Sequence, residues 1–195
     1  MKSKEMTLGQ INYATDWVKT GVHILLGTLY VALLSHIDIP FKPIPMTMQT
    51  FAVFSLALSV GSRKSFFSLL LYLFAATLGL PVLSSGYVNP LWFLDSSAGY
   101  TLSFPLVAYI VGKCAETKKS SSPFWMFIGL SLGQGVIYLM GLAWLSAFVG
   151  FKQALIVGFY PFILFDAVKL MGALAAKMVA KHAGNYFPHL FKTGV

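Results

Sequence analysis

The segment from Gln153 to Ala176 reads QALIVGFYPFILFDAVKLMGALAA. It exceeds the about 20 predominantly apolar residues that a helix needs to cross a bilayer. Its only charged residues are Asp166 and Lys169. Ionised side chains inside a membrane helix are costly and usually face a cavity. Three positions apart, these two share one helix face. Two readings stay open here: a functional pair, or a self-neutralising pair that closes a helix bundle.

The rest of the chain agrees with a membrane setting. Of 195 residues, 57% are hydrophobic and only 10% charged, against about 25% charged in soluble domains. The chain therefore reads as one all-α integral membrane domain over residues 1–195. A net charge of +8 could suggest nucleic acid, but Lys and Arg also gather in the cytoplasmic loops of membrane proteins. No nucleic-acid partner is expected. The single cysteine, Cys114, excludes an internal disulfide. His23, His36, His182 and His189 read as non-ligands, so neither metal nor cofactor is expected.

Uncharged stretches predict six transmembrane helices, over about 20–37, 46–60, 65–80, 98–113, 124–144 and 161–179. The first lacks a clear small-residue cleavage site and reads as a retained helix. Pro105 predicts a kink in the fourth, and Pro161 suits the first turn of the sixth. An interfacial piece reaching Phe159 is expected after the fifth. Six spans put both termini on one side. Lys42, Lys152 and Lys169 then fall on the other side, and the remaining eleven of the 14 Lys and Arg lie with the termini. The positive-inside rule makes the terminal side cytoplasmic. A multi-pass protein of the cell membrane, in contact with lipid, is expected.

Two outer loops stand out. Asp38 to Thr50 is stiffened by prolines. In it, Gln49 offers both donor and acceptor to a polar ligand; alternatively, Thr47 caps the second helix and Gln49 bonds a neighbouring helix. In the second loop, Pro81 to Ala98, the residues Ser84, Ser85 and Asn89 either line a polar pocket or form turns. Tyr87, Trp92, Phe93 and Tyr100 either wall an apolar ligand or sit in an interfacial aromatic belt, the belt being favoured for Trp92. Thr28 and Ala32 form a small-xxx-small pair that would let another helix approach. The sequence carries no G-x-x-x-x-G-K-[ST] and no H-E-x-x-H, so no catalytic constellation is visible and an enzyme is not expected.

Three segments together resemble the BioY family, the biotin-binding S components of energy-coupling factor (ECF) transporters. They are PIPMTMQT (Pro43 to Thr50), LGLPV (Leu78 to Val82) followed by Ala98-Gly-Tyr100, and GFYPF (Gly158 to Phe162) followed by Asp166 and Lys169. The resemblance implies a six-helix S component whose pocket opens outward. Asp166 and Lys169 would contact biotin, and a lid would include Pro43, Pro45, Thr47 and Gln49. Thr28 and Ala32 would meet a transmembrane coupling protein, which acts with two ATPase subunits. Biotin suits the pair: Asp166 can accept from a ureido N–H and Lys169 can pair with the tail carboxylate, although the two ends could be exchanged. The chain departs from the family at Asp95-Ser-Ser-Ala-Gly-Tyr100 and in the aromatic loop before it, which puts contacts over 84–95 in question. Other readings are an S component for another vitamin, an intramembrane enzyme acting on lipid, and a passive channel.

Overall fold

The computed structural model describes residues 2–39, 42 and 44–186, with side chains for 16–39, 42, 44–120 and 122–183. Pro43 and His189 lie outside the described residues. The helices, in chain order, are α1 (Lys2–Ser35), α2 (Gln49–Val60), α3 (Ser62–Thr77), α4 (Ala98–Leu102), α5 (Phe104–Glu116), α6 (Pro123–Val149), α7 (Phe151–Gly158) and α8 (Ile163–Tyr186). Between α1 and α2, β1 (Asp38–Ile39) pairs antiparallel with β2 (Met46–Thr47), Asp38 facing Thr47.

That short ladder explains one difference from the expected spans. Met46 and Thr47 are drawn into β2, so α2 begins at Gln49. At about 1.5 Å per residue, the 12 residues of α2 reach roughly 18 Å, short of a bilayer core. Among the described residues, two helical segments cross by length and composition alone, Asp16–Ser35 and Pro123–Val149; α7 and α8 supply a third if they count as one span bent by 52°. The fourth expected span is broken at Ser103, between α4 and α5. Pro105 has no N–H to offer the preceding turn, which accounts for the break there. The fifth runs past Trp144 to Val149, and α7 occupies the expected interfacial piece.

α2 is the centre of the bundle, packed against α1, α3, α5 and α8. Ala52, Val53, Phe54 and Ala57 are fully buried there. The helix surfaces are inverted relative to a water-soluble fold. α8 exposes Leu164, Val168 and Met171 while burying Asp166, Leu170 and Ala173. These two sets repeat every three or four residues, as two faces of one helix must. Apolar outside and charged inside is the arrangement that hydrocarbon demands.

Polar contacts close the helix ends away from the loops that bear the β ladder. Lys177 Nζ donates to Leu58 O at 2.7 Å, satisfying a carbonyl of the last turn of α2. Glu116 Oε1 accepts from Ser62 N at 2.7 Å and from Ser62 Oγ at 2.8 Å, capping α3. Gly61 precedes that helix at φ +83°, a left-handed backbone that a side chain would strain.

The small pair on α1 serves the chain itself. Thr28 Oγ1 donates to Ser68 O on α3 at 2.8 Å, and Thr28 and Ala32 are both buried. Thr28, expected with Ala32 to meet another protein, thus already has a partner within the chain on α3. The described histidines His23, His36 and His182 each bond the carbonyl four residues back.

Candidate functional site

A cavity of about 490 Å³ opens where the β ladder, the 83–97 connection, the middle of α6 and the start of α8 meet. That volume lies within the about 300–1,000 Å³ typical of small-molecule sites. Asp166 and Lys169 sit on its α8 wall.

Asp166 is 6% exposed. Its Oδ1 accepts from Lys169 Nζ at 2.9 Å. Its Oδ2 accepts from Gln134 Nε2 at 3.0 Å and from Tyr138 OH at 2.8 Å, both on α6. The Tyr138 ring meets Phe159 edge to face at 4.8 Å, which fixes its tilt. The two readings of the pair thus coexist: it is neutral in itself, and it lies on a cavity wall. A carboxylate has about four lone-pair sites, so three donors leave room for one more.

Thr47 and Gln49 line the opposite side, where β2 runs into α2. Thr47 Oγ1 accepts from Gln49 N at 3.2 Å and donates to Gln49 Oε1 at 3.1 Å. Gln49 Nε2 donates to Tyr72 OH on α3 at 2.7 Å. Gln49 therefore bonds a neighbouring helix and faces the cavity at once.

The mouth is built from the two outer loops. Ser85 Oγ donates to Asp38 Oδ2 at 2.6 Å, tying the second loop to β1. Ser85 holds φ +54°, a left-handed backbone uncommon for a residue with a side chain. Ser84 lines the wall beside it. Asn89 is not among the residues that line the cavity, and it takes the turn alternative. Its Oδ1 accepts from Leu91 N at 3.0 Å and its Nδ2 donates to Asp95 Oδ2 at 3.2 Å. That is an Asx turn that braces Asp95, the residue lining the cavity. Trp92, favoured for an aromatic belt, is instead 5% exposed and donates from Nε1 to Thr77 Oγ1 at 3.2 Å. Its ring is part of the core because the loop folds back over the end of α3.

Tyr100 is lodged between helices. Its OH donates to Gly158 O at 3.0 Å, and a Cβ at Gly141 would collide with its ring. Gly141 thus makes the slot that turns Tyr100 onto the cavity wall.

Sequence reasoning missed Gln134 and Tyr138. A signal was present: Gln134 is the sole amide in the uncharged run Ser120–Phe151, and Tyr138 follows it at i+4 on the same face. Lys42, Asp38 and Asp95 on the cavity wall were also not singled out. Their loop positions carry no periodicity that would direct them inward.

Comparison with known proteins agrees with this architecture. The BioY family model matches residues 2–185. A probable biotin transporter BioY of Pyrococcus horikoshii is 34% identical over 165 residues, spanning 83% of this chain and 96% of that protein. One from Rickettsia prowazekii is 32% identical over 171 residues, 83% of this chain and 86% of that protein. The biotin transporter BioY of Thermotoga maritima is 31% identical over 157 residues, 80% and 89%. A crystal structure of the S-component for biotin from an ECF-type ABC transporter superposes with a TM-score of 0.72 at 23% identity, covering 86% of this chain and 93% of that one.

Proposed function

The chain belongs to the BioY family of transporter components, and from that premise we propose that it captures biotin in the cavity beside Asp166 and Lys169 for uptake into the cell. The observation that carries this reading is the buried pair, at 2.9 Å, on the wall of a ligand-sized cavity. Biotin offers two ureido N–H donors, a carbonyl, an apolar ring and chain, and a carboxylate. Asp166 keeps a lone pair for a ureido N–H, and Lys169 keeps donors for the ureido carbonyl. A ligand carboxylate beside this pair would leave one unbalanced charge in a low-dielectric site. The tail is therefore better placed toward the mouth, where Lys42 lies on the wall; Asp166 keeps the ureido N–H, and Lys169 moves from the tail to the ureido carbonyl. Thr47, Gln49, Ser84, Ser85 and Tyr100 complete the pocket, with Pro45 in the segment that closes it.

In this reading the chain performs no covalent chemistry. It spans the cell membrane six times, with α4–α5 as a broken span, α7 as the interfacial piece before α8, and both termini cytoplasmic. Delivery of biotin inward depends on an ECF transmembrane coupling protein and two ATPase subunits. The lipid-facing apolar surface of α6 and α8 and the basic excess on the terminal side support this topology. Removing one partner of a buried hydrogen-bonded charge pair costs about 2–5 kcal/mol. Asp166→Asn and Lys169→Ala are each expected to weaken biotin binding on the order of 100-fold in the purified, folded protein. Unchanged affinity in both would refute the site.

A further inference from the structure

Gln134 and Tyr138 lie one turn apart on α6 and both reach across to Asp166 Oδ2, at 3.0 and 2.8 Å. Neither is needed to balance charge, because Lys169 already does so from the other oxygen. Tyr138 lines the cavity, whereas Gln134 stands behind it, 9% exposed and off the wall. Gln134 Oε1 is buried and bonds no atom among the described residues. An unpaired buried acceptor is costly, and an apolar side chain would fill the same space without it. The amide is therefore accounted for by the bond that its Nε2 makes to Asp166.

Two donors from a second helix hold the plane of the carboxylate. With Oδ2 doubly engaged, the remaining acceptor site is on Oδ1, the oxygen that also meets Lys169. We propose that Gln134 and Tyr138 are positioning residues that lock the Asp166 carboxylate across the α6–α8 contact and present Oδ1 to the ligand. The inference rests on the biotin reading of the cavity. It assigns α6 a part in ligand selection through a residue, Gln134, that the ligand does not touch.

Residues that act through Asp166 lose their effect once Asp166 cannot respond, and a double-mutant cycle measures this. Biotin affinity is titrated for the purified wild type, Gln134→Met, Tyr138→Phe, Asp166→Asn and the two doubles. Ligand-free thermal midpoints are recorded for all six. Each α6 substitution alone is expected to weaken biotin about tenfold, equal to about 1.4 kcal/mol, and to add little in the Asp166→Asn background. Wild-type affinity in both singles, or losses that multiply in the doubles, would overturn the proposal. Where binding by Asp166→Asn is too weak to titrate, the thermal midpoints decide: non-additive shifts support the lock and additive ones refute it. A wild type that binds no biotin instead defeats the functional reading, and the thermal cycle still judges the lock.

Discussion

Lys169 keeps one N–H on Asp166 Oδ1, which leaves its other donors free for a neutral carbonyl. The second ammonium on the cavity wall is Lys42, at the mouth. Asp38 and Asp95 are there too, but each is engaged, by Ser85 and Asn89. Comparing biotin with its uncharged primary amide separates the two lysines. Lys169→Ala is expected to weaken both ligands alike, whereas Lys42→Ala should erase only the preference for the acid. Loss of that preference in Lys169→Ala would move the tail to the bottom of the cavity. Asp166 and Lys169 were legible in the sequence because a charge in an apolar helix stands out without any knowledge of the fold. Asn89 stayed open for the opposite reason: its side chain suits a ligand or a turn equally, and the turn shows only in the Asx bond from Leu91 N.

Elements set where those side chains can stand. α4 delivers Tyr100 into a slot on α6 that exists because position 141 is glycine. Gly141→Val should overpack that slot, at a cost of about 1–3 kcal/mol. A lower thermal midpoint together with weaker biotin binding is expected; a fall in stability with unchanged affinity would detach Tyr100 from the site. At the far end, the Glu116 carboxylate is held below the ordinary glutamate range, chiefly by the Ser62 backbone N–H, with the Ser62 hydroxyl and Lys113 adding to it. A carboxylate whose folded pKa is depressed contributes stability that is present above its unfolded pKa and lost as pH falls through the folded one. Thermal midpoints of wild type and Glu116→Gln should therefore differ at neutral pH and converge as the pH drops below the usual glutamate range. A constant gap would show that the carboxylate's charge is not what caps α3. The helices themselves followed from uncharged length. Their ends did not, because β-pairing at Met46–Thr47 and the break before Pro105 depend on neighbours that hydropathy cannot see.

At the scale of the whole molecule, α2 is a short central helix whose start meets the cavity, and the others wrap it with apolar faces outward. Composition alone implied a membrane protein, since a chain with so few charges cannot cover itself for water. The order of three motifs along the chain carried the family, and the family model covers nearly its full length. What the sequence hid is cooperative: Gln134 and Tyr138 lie 28 to 32 positions from Asp166, and only the α6–α8 packing brings them to it. The account stands on one ligand in one pocket. Calorimetric titration of biotin into the purified wild-type chain, repeated with excess thiamine or riboflavin present, tests it most directly. Saturable one-to-one binding that neither competitor disturbs is the predicted result; no binding of biotin, or its displacement by either vitamin, would contradict it.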